Sequence, residues 1–246
     1  MTRLCARIVL PLLMLASSAP GAALAEPRGM IELFTSQGCS SCPPADKLIA
    51  ELARDDSLVV ISLPIDYWDY LGWKDTLARP RHTARQRGYA SVRGDREVYT
   101  PQAVINGIVH VVGSDRNAIE DAIARTRGHA AALTVPIHAS LVGGELKVEI
   151  KPAKKAESVA EVWLCTIAKA IPVAIKRGEN RGRTITYHNV VRKWIKLGVW
   201  NGGEQNWTVP PSELQSEEAD LVAVLLQTGS IENPGAVLGA ATAPLR

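Results

Sequence analysis

Cys39-Ser40-Ser41-Cys42 carries the residue types best able to do chemistry in this chain of 246 residues: two thiols with only two residues between them. Before them the run Met30 to Phe34 is largely apolar, and Thr35-Ser36-Gln37-Gly38 bends the chain. After them Pro43-Pro44 opens a helix in which Leu48, Ile49 and Leu52 recur at helical spacing. Proline suits the first helical positions because its missing N–H would be unpaired there anyway. Cys39 is therefore expected at a helix N-terminus, where free backbone N–H groups and the positive end of the macrodipole favour thiolate over thiol. Cys39 becomes a candidate nucleophile and Cys42 the thiol that resolves its mixed disulfide. A static disulfide or half of a metal site are the alternatives. Zinc needs two further ligands at suitable spacing, and His82, His110, His129, His138 and His188 are scattered without such a pattern, so no metal and no cofactor is expected.

The elements that must hold these thiols follow from the flanking pattern. Ser57 to Ile65 is a nearly continuous apolar, β-branched run, the mark of a strand buried on both faces. Strand, helix and strand make a βαβ unit with parallel strands. Its carboxyl edge receives both the cysteine turn and Asp66-Tyr67-Trp68-Asp69-Tyr70-Leu71-Gly72-Trp73. Tyr67, Trp68 and Trp73 are candidates for lining a substrate groove beside the thiols, aromatic faces being suited to peptides; packing under the neighbouring helices accounts for them equally. Lys74 to Tyr89 reads as helical but interrupted at Arg79-Pro80-Arg81, giving two short helices or one broken one. Asn106-Gly107 between two β-branched runs predicts a hairpin of Gln102–Ile105 with Ile108–Val112, opened by Thr100-Pro101. Ser114 or Asp115 then caps a helix reaching about Arg127.

Beyond Ala131 the pattern turns to short strands punctuated by Gly, Pro and Asn: Leu133–Ala139, Leu141–Ile150, Val159–Ile167, Ile171–Arg177, Thr184–Trp194 and Asp220–Thr228. These predict a β-rich half, a sandwich or a sheet added to the first half. Cys165, in an alternating run, reads as a buried inert thiol. Arg177 to Arg192 is locally basic, with Glu179, Arg181, Arg183 and His188; it suits an anion or a partner, or a solvated strand.

The first 25 residues read as a secretory signal peptide: Arg3 and Arg7 precede an apolar Ile8–Ala16 core, and Ala23-Leu24-Ala25 is a small-residue cleavage site, with cutting near Ala25–Glu26. Removing Arg3 and Arg7 from the 28 basic residues leaves 26 against 25 acidic ones, so the mature chain is nearly neutral. Neither nucleic acid nor an acidic membrane surface is implied as a partner, and no membrane insertion is expected once the leader is removed. A periplasmic or secreted location follows, an oxidising setting in which a close thiol pair is disulfide-bonded or cycling.

Taken together, the element order and two motifs resemble the thioredoxin fold, an α/β architecture with a central mixed sheet flanked by helices. In that superfamily a CxxC at the start of the first core helix faces a cis-proline loop that opens an antiparallel hairpin. Cys39-Ser40-Ser41-Cys42 matches the first motif and Thr100-Pro101 the second. The cis state of Pro101 is what the resemblance implies, as is its role in keeping a backbone edge open beside Cys39. Thr100 before it resembles the arrangement in periplasmic isomerases and some oxidases of the superfamily. Glu32, on the strand leading to the CxxC, resembles the buried acid that moves protons for the resolving thiol, one residue further from the first cysteine than usual; a solvent-facing strand residue is the alternative.

More narrowly, Phe34 to Asp46, Asp66 to Trp73, and Arg181-Gly182-Arg183-Thr184 with His188-Asn189-Val190-Val191 look like a family of secreted bacterial thioredoxin-like proteins known as a domain of unknown function. The likeness covers nearly all of the mature chain. It implies a thioredoxin-like half over residues 26–130, with a helical insertion at about 67–99, and a β-rich, sandwich-like half over 131–246. The implied activity is thiol-disulfide exchange with protein or small-molecule thiols and disulfides. A non-catalytic binding or assembly module stapled by its CxxC, and a copper-handling thiol protein, are the alternatives.

Overall fold

The computed structural model describes residues 26–153 and 159–245, so the segment read as a signal peptide lies outside the described residues. β1 (Gly29–Thr35) and β2 (Leu58–Pro64) run parallel in register from Gly29/Leu58 to Thr35/Pro64, joined by α1 (Pro43–Leu52). β3 (Gln102–Ile105) lies antiparallel to β1, and β4 (Val109–Val112) returns along it. The turn between them needs positive φ at two successive residues, and Asn106 at 53° and Gly107 at 72° supply it. α3 (Arg116–Thr126) follows, its first turn capped by the Asp115 carboxylate on the Ala118 N–H.

The interrupted segment resolves differently from the sequence expectation. Residues 74–78 are not helical: the Asp75 carboxylate accepts the Leu77 and Ala78 N–H groups at 2.8 and 3.0 Å and folds the chain into a turn. Arg79 is extended, as a residue before proline prefers, and Pro80 then begins one unbroken helix, α2 (Pro80–Arg93). Ahead of this, between β2 and residues 74–78, Asp69–Leu71 forms a single 3-10 turn.

After Ala131 come β5 (Ile137–Val142) and β6 (Glu145–Ile150), β7 (Ala160–Ala174), β8 (Thr184–Trp200), β9 (Gln205–Val209), the short α4 (Pro211–Leu214), β10 (Leu221–Gly229) and β11 (Pro234–Pro244). Two strands expected separately, Val159–Ile167 and Ile171–Arg177, are one: β7 continues past a register shift between Thr166 and Ile167, held by the long partner β8. β9 and β11 escaped the sequence reading because their polar residues and small Ala and Gly residues give no strong alternation; β11 is an edge strand, where flanking prolines are tolerated.

The larger sheet is continuous across both halves, in the order β11-β10-β7-β8-β2-β1-β3-β4, the join being a parallel bridge of Ser62 with Val190. The Ser62 hydroxyl and the Asn189 amide reinforce that join by donating to the His188 and Val60 carbonyls. The smaller sheet, β5-β6-β9, faces the β7-β10-β11 part across a core of Val148, Ile150, Leu164, Val224 and Leu226. α1 and α3 cover one face of β1 and β3 over Ile31, Leu33, Ile49 and Ile119. On the opposite face Met30, Phe34, Ile61 and Tyr89 share a core with Trp163, Cys165 and Leu225. Burying these side chains is the main force joining α2, β1 and the C-terminal strands, each fully buried aliphatic side chain contributing about 1.5–3 kcal/mol.

Candidate functional site: a disulfide at the start of α1

Cys39 and Cys42 are joined as a disulfide. It lies where β1 ends and α1 begins, because Gly38 lets the chain pass close under Trp68: a Cβ on Gly38 would come within 3.0 Å of the Trp68 Cβ. Cys39 retains 2% exposure and Cys42 none, so both cysteines are buried and the little surface the pair keeps belongs to Cys39. Cys39 Sγ lies 3.4 Å from the Ser41 hydroxyl, and that hydroxyl also reaches the Thr100 carbonyl at 3.5 Å. The Thr100-Pro101 peptide is cis, as the resemblance implies, and Pro101 is buried, its carbonyl accepting the Gly113 N–H.

Of the aromatic candidates, Trp68 donates from its indole nitrogen to the Thr100 hydroxyl at 2.8 Å and stacks on Tyr70, ring centroids 6.2 Å apart. Tyr70 is 77% exposed, so this pair forms a free aromatic ledge beside the disulfide. Tyr67 is half-buried and packs inward on the core. Trp73 is turned toward the cysteine loop, donating to the Gln37 side-chain oxygen at 2.8 Å, and so braces the loop.

Glu32 is neither solvent-facing nor bonded to the cysteines. It shares a β1 face with Met30 and Phe34, opposite the face that carries α1, and is buried. Arg85 of α2 grips its two oxygens at 2.7 Å each, and the Tyr89 hydroxyl donates to one of them at 2.5 Å. Gln227 of β10 accepts from Arg85 and donates to Tyr89, extending the network across the sheet, while the Trp194 ring stacks 5.0 Å from the guanidinium.

A different acid sits on the cysteine side. Asp46, one turn beyond Cys42, has its amide on the Cys42 carbonyl at 3.1 Å and its carboxyl buried beneath α1. The Thr35 hydroxyl donates to one oxygen at 2.7 Å, and the other has no hydrogen-bond partner. Burial, with no cation to offset it, pushes the Asp46 carboxyl up to about 7, with the Thr35 bond opposing and the charge of Asp75 adding. Asp75 is itself pushed up to about 6, by burial against the three backbone N–H groups of Gln37, Leu77 and Ala78 that it accepts. The Tyr187 hydroxyl, also buried and unpaired, has its ionisation held well above the usual range, by burial first and by these two carboxyls second. Asp46 was legible in one respect: it is the sole acidic residue among the helix positions Ala45, Leu48, Ile49 and Leu52 that face the core.

The sequence also left out what caps the turn. The β7–β8 connection folds over it, and the buried Asn180 amide donates to the Gln37 and Cys39 carbonyls at 3.0 and 2.8 Å. Its neighbour Glu179 accepts the Ser40 N–H at 3.2 Å. Among the described residues Cys165 is buried and without a cysteine partner, and burial pushes its thiol up to about 12.

Fold and site together define a mixed α/β protein with a large mixed sheet and a disulfide at a helix start beside a cis-proline. The chain belongs to the family described as a protein of unknown function (DUF1223), whose model matches residues 30–227. It is similar to the crystal structure of protein AGR_C_4864 from Agrobacterium tumefaciens: 34% identity, TM-score 0.79, covering 89% of this chain and 94% of that one. HBP35 of Porphyromonas gingivalis shares the fold at 10% identity and TM-score 0.60, over 88% of this chain and 74% of that one. A probable thioredoxin from Archaeoglobus fulgidus is 38% identical over 37 residues, which are 15% of this chain and 41% of that protein's length. Among the described residues no helix is long and apolar enough to cross a membrane.

Proposed function

We propose that this chain is an exported thiol-disulfide exchange protein, built from a thioredoxin-type half over residues 26–130 and a β-rich half beyond. The observation that carries this reading is the setting of the disulfide: Cys39 and Cys42 are joined at the start of α1, where Ser41 between them meets the Thr100 carbonyl of the cis Thr100-Pro101 peptide. In the reduced protein the Cys39 thiolate attacks a client disulfide, forming a Cys39–client bond and releasing one client thiolate. Cys42 then gives its proton to the Asp46 carboxylate and attacks Cys39 Sγ, so the mixed disulfide breaks and the second client thiolate leaves. The client gains two electrons and the protein closes its disulfide; run backwards, the same steps oxidise a client dithiol. Asp46 suits the proton transfer because its carboxyl titrates near neutrality one turn from Cys42. Thr100, Pro101 and Trp68 line the client's groove, with Trp73 bracing its floor and Tyr67 packed on the core behind it. Glu32, fixed by Arg85, serves to hold the α2 layer to the sheet. Export, with the leader cut near Ala25–Glu26, is supported by the disulfide, which persists in oxidising compartments.

The test is Cys42→Ser expressed with its leader in the native compartment. Mixed disulfides that release on reduction are expected, together with reduced Cys39 alkylating faster than a free model thiol. Absence of both would sink the exchange reading. The near-complete burial of both cysteines favours a second reading, a structural staple, which predicts a disulfide that glutathione buffers fail to open.

A further inference from the structure

The β7–β8 connection that caps the disulfide is also the most basic stretch beside the site. Lys176, Arg177, Arg181 and Arg183 are all exposed. Arg183 makes one side-chain bond, to the Asn180 side-chain oxygen at 3.2 Å, and among the described residues the side chains of the other three make none. Four cations thus stand against one carboxylate of the same turn, Glu179, and that carboxylate is engaged by the Ser40 N–H. Exposed cations are ordinarily just a solvated face, and here two facts argue otherwise. The turn is fastened to the cysteine loop by a buried amide with bonds to the Gln37 and Cys39 carbonyls, so its charges are held beside the disulfide. The mature chain as a whole is nearly neutral, so the concentration is local.

The facing loop completes the surroundings. Asp66 accepts from the Thr83 hydroxyl and Asp69 from the Asp75 N–H, neutral donors that leave both carboxylates charged, while Lys74 is exposed and adds a further cation, so around the site five cations stand against the three carboxylates of Glu179, Asp66 and Asp69. Gly178 packs against Trp73, bringing the basic turn to the loop that carries the Trp68–Tyr70 ledge. The surface around Cys39 therefore offers an aromatic ledge on one loop and a basic turn on the other.

We infer that the client of this disulfide is an acidic cysteine-bearing peptide segment, its carboxylates met by Lys176, Arg177, Arg181 and Arg183 as its sulfur reaches Cys39. The inference rests on the exchange reading above. Charges placed this way act on the encounter, raising association about tenfold or more for the complementary charge at low salt and losing that effect as salt screens it.

The experiment uses the reduced mature protein and three matched peptides, each a mixed disulfide of its single cysteine with thionitrobenzoate, with Glu, Gln or Lys flanking the cysteine. Cys39 attacks the peptide sulfur and the yellow thionitrobenzoate thiolate leaves; Cys42 then closes the protein disulfide and frees the peptide thiol. The readout is the second-order rate for each peptide at low and high salt. The Glu peptide is expected to react about tenfold faster than the Gln peptide at low salt, with the ratio collapsing at high salt. Arg177→Glu with Arg181→Glu is expected to invert the Glu-to-Lys ratio, and Arg177→Gln with Arg181→Gln to bring it toward one. Equal rates for all three peptides, with exchange intact, overturn the acidic-client inference alone. No thionitrobenzoate release above that of a free thiol overturns the exchange reading and this one with it.

Discussion

Asp46→Asn is the most informative single change in the molecule. The carboxyl is buried without a cation, and its folded-state value of about 7 stands well above the 3.8 of an unperturbed aspartate. A group raised in the folded state gives its full stability below the unfolded value and loses it as pH climbs through the folded one. Wild-type stability is therefore expected to fall from about pH 4 to about pH 7 as this proton is surrendered, then to level off. The whole shift converts to a few kcal/mol, on the order of 4 at most. Asparagine keeps an oxygen for the Thr35 hydroxyl to donate to and never ionises. The variant should thus gain little at pH 4 and about 2–4 kcal/mol at pH 8, or roughly 5–15 °C in Tm for a chain of this size. Asp75 titrates beside it, so the comparison reads Asp46 together with that coupling. Calorimetry of the oxidised protein from pH 4 to 8 measures it directly. A Tm difference that stays flat across this range would refute the assignment of a buried, cation-free acid. The same variant should prolong the Cys39–client mixed disulfide at neutral pH, because Cys42 then lacks its proton acceptor.

Three further outcomes follow from the same geometry. Glu32→Met or Arg85→Met alone leaves a buried charge without its partner and should cost about 3–5 kcal/mol, whereas the two together should cost much less than the sum; urea denaturation of the wild type and the three variants checks this. Glu179→Gln removes a negative charge from the Ser40 N–H beside Cys39, easing formation of the thiolate, so a glutathione titration should find the disulfide a few-fold easier to reduce; an unchanged or lower potential would discount Glu179 as an influence on the thiol. In the reduced native protein two thiols should titrate with a chromogenic disulfide and Cys165 only after denaturant is added, since its thiol is enclosed and pushed up to about 12.

Much of this arrangement could be read from the residues, and the parts that could not share a cause. The β1-α1-β2 unit, the Asn106-Gly107 hairpin and the Asp115 cap are written in local pattern: apolar runs, proline at a helix start, positive-φ residues at a turn. The cysteine turn and Thr100-Pro101 were visible as motifs. What stayed hidden depends on contacts between distant segments. Nothing near Asn180 announces that its amide will reach Gln37 and Cys39, some 140 residues earlier. The basic run was noticed, but the hairpin that carries it to the disulfide depends on β7 running on through Ile171 to Ala174 in register with Thr184 to Tyr187 of β8, a pairing with no local signature. Residues 74–78 misled because helix-compatible spacing was overruled by the Asp75 side chain, which took the N–H groups a helix would have needed elsewhere.

The two buried acids show how a strand's alternation divides labour that sequence spacing alone cannot. Glu32 and Thr35 are three residues apart on β1 and therefore point to opposite faces. On Glu32's face a guanidinium, a phenol and an amide from α2 and β10 close around the carboxylate, so its charge is matched where it lies and the group serves as a fixed joint between layers. On Thr35's face a single hydroxyl meets Asp46, one carboxyl oxygen goes unbonded, and the nearest titrating neighbour is another acid. A buried carboxylate without a counter-cation gains by taking a proton. The raised carboxyl of Asp46 therefore lies on the face that carries α1 and Cys42, and the strand that delivers the cysteine turn separates it from the Glu32–Arg85 pair.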